Sequence, residues 1–292
     1  MVKYVVIPAA GYGTRLLPVT RVLPKAILPL GTTPILVDVL WEAYKAGIRE
    51  AIIVTHWREN VIKRAFENDL EELVNWLRLR GREDLVELLI RAIPPMNIIF
   101  VHQEKLNGLG GAILLAEEYV DDVFAVMLAD NIILENQKGS LLSKMISARK
   151  LTGADTVLSV AKVMPRDISR FGIIKFSEER VIDGIKLYHV EDLIEKPPLD
   201  KAPSNMAIVG RYIFTSEIFD YLRKVPEERG EIDETKAFKK QIEDGKRVIA
   251  IDLEDRRWFD VGNLEGYFKA FLAFIAQEEG KKRVEEWIRE IL

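Results

Sequence analysis

The chain has 292 residues, of which 48% are hydrophobic and 30% charged, with a net charge of -4 and no cysteine. That composition is ordinary for a globular protein long enough to bury a sizeable core. It excludes disulfides, thiolate metal sites and a cysteine nucleophile, and it lacks the basic excess that broad nucleic-acid or membrane-surface binding requires.

No run approaches the roughly 18–20 apolar residues of a transmembrane helix. The N-terminal apolar stretch is short and broken by Pro8 and Gly11. It does not read as a signal peptide, so a cytoplasmic location is expected. Residues 4–8 form a continuous apolar run, the pattern of a buried parallel strand. They feed a glycine-rich turn, Ala9-Ala10-Gly11-Tyr12-Gly13-Thr14-Arg15-Leu16, and Lys25 follows ten residues after Arg15. Residues 34–46 predict a helix, with Leu36, Val39, Leu40 and Ala43 on one face, Pro34 in the first turn and Gly47 at the C-cap. Residues 51–54 predict a second buried strand. Strand, long loop, helix and strand together imply a right-handed crossover and a parallel sheet.

Residues 59–92 read as two charged helices separated by Gly81. A strand over 98–101 precedes a helix from Gly108 to about Tyr119. A strand over 124–128 ends at Ala129-Asp130-Asn131, and a helix near 140–150 and a strand at 156–163 continue the alternation. From about residue 171 strand-like runs follow one another, at 171–176, 186–194 and 206–214. This part predicts a sheet extension sharing one continuous sheet with the first. Helices near 215–224 and 234–244, a strand at 247–253, and a long amphipathic helix or helix pair over 264–290 close the chain. The five tryptophans and the apolar face of 264–275 read as core, and His56, His102 and His189 as core or surface residues.

The opening turn fits neither common phosphate-binding template. It lacks the lysine of a P-loop, and Leu16 stands where a dinucleotide fingerprint needs its third glycine. The physics of anion binding still applies. Gly11 and Gly13 can aim backbone N–H groups at an anion, and Arg15 and Lys25 add full charges. Asp130 follows a strand, where open α/β sheets bind ligands at the crevice, although an Asp there is ordinarily a turn or cap residue. Asp260, in Trp258-Phe259-Asp260-Val261-Gly262-Asn263, has the bland reading of a helix cap. Two hard carboxylates suit Mg²⁺, which takes few protein ligands and completes its shell with phosphate oxygens and waters.

The turn and Pro24-Lys25-x-x-Leu28-Pro29 together resemble the signature of the sugar-1-phosphate nucleotidyltransferases, the nearest pattern being the bacterial-type UTP–glucose-1-phosphate uridylyltransferases. Further matches follow in the family's order. They are Val54-Thr55-His56, Gly108-Leu109-Gly110, Asp130, Glu195-Lys196-Pro197, Ser204 to Tyr212, and Asp260-Val261-Gly262-Asn263, over roughly residues 3–275. The resemblance implies an α/β fold, a Rossmann-like three-layer sandwich. Its central sheet is mixed and mostly parallel, with a sugar-binding sheet extension and a C-terminal helix. It implies a catalytic domain over 1–263, divided into a nucleotide-binding part (about 1–165) and a sugar-binding part (about 166–263). Residues 264–292 would be a helical segment able to make an oligomer contact, in a homodimer or homotetramer.

The implied reaction makes UDP-glucose and pyrophosphate from UTP and glucose 1-phosphate. Arg15, Lys25 and Lys196 would be catalytic, and Mg²⁺ would sit on Asp130 and Asp260. Ala9, Ala10, Gly11, Gly13, Thr14, Gln103 and Gly108 would hold the nucleotide. Gly172, Glu195, Lys196, Asn205 and Val209 would hold the sugar. The alternatives are a dTTP-dependent enzyme of the same fold and a non-catalytic sugar-nucleotide-binding paralogue. Departures from the pattern are Gly111, where the uridylyltransferases usually carry histidine, Ala129 and Asn131 around Asp130, and Asp233 to Lys236 after Glu231-Ile232.

Overall fold

The apolar run at the N-terminus is strand β1 (Tyr4–Pro8), with Val5, Val6 and Ile7 fully buried. A computed structural model of the chain describes residues 2–56, 59–66, 70–135 and 139–292. After β1 come a small hairpin, β2 (Pro29–Leu30) and β3 (Thr33–Pro34), then α1 (Ile35–Lys45) and β4 (Glu50–Thr55). Three short helices follow, α2 (Glu59–Arg64), α3 (Glu71–Arg78) and α4 (Glu83–Arg91). The expected pair is therefore three helices, and residues 67–69 of that stretch lie outside the described residues. Next come β5 (Asn97–His102), α5 (Gly108–Leu114), β6 (Phe124–Met127), β7 (Asn131–Leu134), α6 (Leu141–Thr152) and β8 (Thr156–Lys162).

The second part contributes β9 (Gly172–Ile182), β10 (Ile185–Glu195), β11 (Met206–Phe214), α7 (Ile218–Lys224), α8 (Glu234–Glu243), β12 (Val248–Asp252) and β13 (Arg257–Asp260). Helices α9 (Leu264–Glu278) and α10 (Lys281–Ile291) end the chain. The hairpin of β9 and β10 runs well past the predicted strand at 171–176. Its turn, Asp183-Gly184, has φ of 50° and 74°, the positive angles of a tight hairpin turn. That Asp-Gly signal was present in the sequence; the polar residues of outer β9 obscured the strand.

Among the described residues the main sheet has nine strands in the order β5-β4-β1-β6-β11-β8-β12-β10-β9. Strands β11 and β10 run against the other seven, so the sheet is mixed with most strands pointing one way. Side chains alternate between its faces. Val5 and Ile7 of β1 enter one core with Leu36, Val39, Leu40 and Ala43 of α1, and with α6 and α9. Val6 enters the other with Ala112 and Ile113 of α5, and with α7 and α8. The result is three layers, helix, sheet and helix. A separate antiparallel ribbon pairs β13 with β7 and sets Asp260 opposite Asn131.

The tryptophans do not all enter the core. Trp76 and Trp287 are exposed, with Arg80 and Arg283 over their rings, and Trp57 lies outside the described residues. On α9, Ala270 and Ala273 are buried but Leu264, Phe268 and Leu272 are exposed. Their spacing of four residues puts them on a face turned away from the sheet.

Candidate active site

Only one glycine of the opening turn uses left-handed backbone. Gly13 has a φ of +66°, and a Cβ added there would lie 2.9 Å from Thr20 Cγ2 and 3.4 Å from Lys25 Cβ. Gly11 has nothing within 4 Å of such a Cβ, so its missing side chain leaves open space instead. After Gly13 the chain folds back through 3₁₀ turns at Thr14–Leu16, Val19–Arg21 and Lys25–Ile27. Thr20 Oγ1 closes the turn by donating to the Gly13 carbonyl at 2.9 Å. Lys25 thereby returns beside the glycine turn.

A cavity of about 540 Å³ lies against this turn. Ala10, Gly11, Gly13, Thr14, Lys25, Gln103, Gly108 and Asp130 line it. Ala9 does not; its N–H donates to the Val54 carbonyl at 2.8 Å and continues the sheet. Gln103 is buried and held from several directions. Its backbone N–H donates to Thr55, its carbonyl sits 2.7 Å from His56 Nδ1, and its side-chain Nε2 donates to Asn107 Oδ1 at 3.0 Å. His56 belongs to the Val54-Thr55-His56 match, but its hold on Gln103 is set by the pairing of β4 with β5, and Asn107 carries no motif signal. Asn107 also explains Gly111: a Cβ there would lie 1.8 Å from Asn107 Oδ1, so the asparagine fills the space a larger residue would need. Gly108 has a φ of +84°, and a Cβ on it would approach Glu231 Cβ at 2.9 Å.

A second cavity, of about 470 Å³, shares Leu128 and Asp130 with the first. Arg15, Arg170, Gly172, Glu195, Lys196, Tyr212, Glu234, Thr235 and Asp260 are among its walls. Gly172 leaves room for its floor, since an added Cβ would lie 3.0 Å from Glu195 Oε2 and 3.4 Å from Ile208 Cδ1. Lys196 Nζ pairs with Glu195 Oε1 at 2.7 Å. Its backbone has a φ of +46°, a strained conformation for a non-glycine residue of the sort that clusters at functional sites.

Two residues expected here lie elsewhere. Val209 is buried in the α1-side core, while its neighbours Ile208 and Gly210 line the cavity, because adjacent residues of a strand face opposite ways. Asn205 is exposed just before β11, outside the cavity walls, and its carbonyl accepts from the Val163 N–H at 3.0 Å.

Asp130 and Asp260 converge at the junction of the cavities. A Cβ added to Gly262 would lie 2.9 Å from Asp260 Oδ1, 3.2 Å from Asp130 Oδ2 and 2.7 Å from Arg15 Nη2, so a side chain there would push into the space the three groups share. Asp130 Oδ2 accepts from Lys25 Nζ at 2.7 Å, and its Oδ1 accepts from Asn131 Nδ2 at 3.0 Å. Burial pushes the Asp130 carboxyl up, but Lys25, Asn131 and Arg15 outweigh it and hold it below the usual carboxylate range. Asp260 Oδ2 accepts from Arg170 at 3.0 Å and lies 3.9 Å from Arg15, while its Oδ1 accepts from the Gly262 N–H. Arg170 carries no sequence signal, because it sits on an irregular turn, Pro165–Arg170, far from Asp260 in the chain.

Asn131 Oδ1 accepts from Trp258 Nε1 at 2.8 Å, so this departure orients Asp130 and lies away from Gln103. Among the described residues no group of three or more His, Cys, Asp and Glu is placed to hold a metal. The donor set is a carboxylate pair with room beside it, which suits a hard divalent cation that takes its remaining oxygens from phosphate and water.

The family described as Nucleotidyl transferase matches residues 4–277. A UTP–glucose-1-phosphate uridylyltransferase of Staphylococcus epidermidis is 36% identical over 279 residues, covering 95% of this chain and 93% of that one. The structure of a UTP-bound UGPase from Acinetobacter baumannii superposes with a TM-score of 0.87 at 32% identity, covering 100% of this chain and 99% of that one. A UDP-glucose pyrophosphorylase complexed with UDP-glucose gives a TM-score of 0.81 at 32% identity, covering 95% and 100%.

Proposed function

The chain belongs to the nucleotidyl transferase family, and from that premise we propose that it makes UDP-glucose and pyrophosphate from UTP and glucose 1-phosphate. The observation that carries this reading is the pair of cavities meeting at Asp130, one built on the glycine turn and the other around Glu195 and Lys196. The nucleotide part, about 1–165, supplies the first, and the sugar part, about 166–263, most of the second. Relatives with UTP or UDP-glucose bound support the assignment.

A phosphate oxygen of glucose 1-phosphate attacks the α-phosphorus of UTP. The new O–P bond forms as the bond to pyrophosphate breaks, and both electrons leave with pyrophosphate. The protein's work is positioning and charge neutralisation. Backbone N–H groups of Ala10 to Thr14 face the triphosphate, and Arg15 holds the departing phosphates. Lys25 offsets charge gathering at the α-phosphate. Gln103 offers the uracil edge a donor and an acceptor beyond the N–H it gives Asn107. Glu195 accepts from sugar hydroxyls, and Lys196 orients the attacking phosphate. Asp130 and Asp260 would hold Mg²⁺, which when bound neutralises phosphate charge and aligns phosphate oxygens. Lys25, Arg15 and Arg170 would then shift from these carboxylates toward substrate phosphates.

The exposed Phe268 and Leu272 of α9 support a homodimer or homotetramer, and use of UTP supports a cytoplasmic location. Pyrophosphate release measured across nucleoside triphosphates and sugar 1-phosphates tests the reading. The highest kcat/KM is expected for UTP with glucose 1-phosphate. A preference for dTTP would move the chain to the thymidylyltransferase branch, and no release with any pair would overturn the activity.

A further inference from the structure

Glu234 stands first on α8, in the segment that departs from the family pattern, and lines the second cavity with Thr235. Asp233 caps α8 by accepting from the Thr235 N–H at 2.9 Å, which fixes the backbone on which Glu234 is carried. Glu195, across the same cavity, is ion-paired to Lys196. Glu234 has no such ion pair among the described residues.

The groups facing it are Asp233 on its own helix, Glu195 and Lys196 at the end of β10, and Tyr212 on β11. The nearby cations of α8 are engaged elsewhere, Lys236 with Glu228 at 2.5 Å and Lys239 with Asp192 at 2.9 Å. Burial and the carboxylates of Asp233 and Glu195 push Glu234 up to about 8, against the opposing pull of Lys196. At neutral pH Glu234 is thus a carboxylic acid, which donates, beside Glu195, which is paired with Lys196 and accepts. A sugar hydroxyl is both donor and acceptor, so the two groups complement a polyol from two sides.

We propose that Glu234 is a specificity-determining contact to a hydroxyl of the sugar 1-phosphate, donating a hydrogen bond where Glu195 accepts one. The proposal rests on the second cavity being the sugar site. It selects sugars that carry a hydroxyl at the contacted position, because a deoxy analogue leaves a buried donor unpaired.

The test compares wild type, Glu234→Gln and Glu234→Leu. Glu234→Leu is expected to raise KM for glucose 1-phosphate about tenfold, with KM for UTP unchanged. It also loses most of the wild-type discrimination against one of the monodeoxy glucose 1-phosphates. Glu234→Gln, isosteric and able to donate, keeps KM for the sugar phosphate within about threefold at pH 7. It is also expected to remove the rise in that KM expected for wild type from pH 7 to 9. If Glu234→Leu fails to fold, that pH profile carries the test. KM values and deoxy-sugar discrimination equal to wild type in the leucine variant, or an unchanged pH profile in the glutamine variant, overturn the proposal. If wild type turns over no nucleotide, the functional reading fails by itself. Calorimetric binding of glucose 1-phosphate to the three proteins then decides: weaker binding by the leucine variant supports the contact, and equal or no binding overturns it.

Discussion

On one side of Asp130 the cleft is walled by a glycine turn and mostly uncharged residues, and on the other by a cluster of charged side chains. The cavity proposed to take the nucleotide is shaped by Gly11, Gly13 and Gly108 beside the parallel strands β1 and β5. The cavity proposed to take the sugar is shaped by Glu195, Lys196, Glu234 and Arg170, carried on the end of β10, on α8 and on the 3₁₀ turn Pro165–Arg170. Gly13 and Gly108 sit at positive φ, where glycine is favoured, and such positions leave a compact mark in the sequence. A side-chain pocket depends on which face each strand turns inward, and one residue of register changes the answer. The first cavity therefore keeps the family pattern more closely, and the second holds the segment that departs from it.

The largest effect should come where the two cavities meet. Asp130→Ala or Lys25→Ala is expected to lower kcat by about a thousandfold or more. The melting temperature should stay near wild type, so steady-state kinetics with a thermal melt checks it. Retained turnover would mean that the shared wall is only a wall.

Next is the support common to both sides. Fully buried Arg211 forms a two-pronged pair with Glu42, at 2.9 and 2.7 Å, and donates to the carbonyls of Leu128 and Gly210. Arg211→Met leaves Glu42 buried without its partner and should cost about 3–5 kcal/mol, measurable by urea unfolding. If stability is unchanged, the two halves do not depend on this strut.

Gly111→Ala addresses the cavity proposed for the nucleotide alone. The added Cβ would displace Asn107 and loosen Gln103, so KM for UTP should rise about tenfold while KM for the sugar phosphate holds. An equal rise in both would erase the division. Val209→Ala should act on the core, lowering stability by about 2 kcal/mol with sugar KM unchanged, whereas Ile208→Ala should raise sugar KM.

The last effect is pH-dependent. Folded Glu234 keeps its proton to about pH 8, while an unfolded glutamate releases it near 4.5. The folded state binds the extra proton in this window, so its contribution is present below about 4.5 and is lost as pH rises through about 8. Glu234→Gln should therefore gain melting temperature relative to wild type between pH 5 and 8, with no gain below pH 4.5.

Much of the first half was legible because its signals are local. The buried strands, the α1 face of Leu36, Val39, Leu40 and Ala43, and the placing of Lys25 after the glycine turn all follow from nearest-neighbour patterning. The second half was harder. The strand at 206–214 was placed correctly, yet its periodicity alone could not say whether Ile208 or Val209 faced the cavity. Glu234 read as part of a departing loop, since the burial that moves its proton affinity comes from β10 and β11.

The sequence by itself determined the α/β alternation, the glycine turn with its cations, and two aspartates each at a turn. Only the tertiary structure decided that those aspartates meet. The β7–β13 ribbon sets Asp260 opposite Asn131, Gly262 leaves the space between the carboxylates, and Arg170 arrives from a turn with no motif. Hydrophobic period and turn chemistry act over a few residues, whereas pairing residues about 130 positions apart depends on strand register.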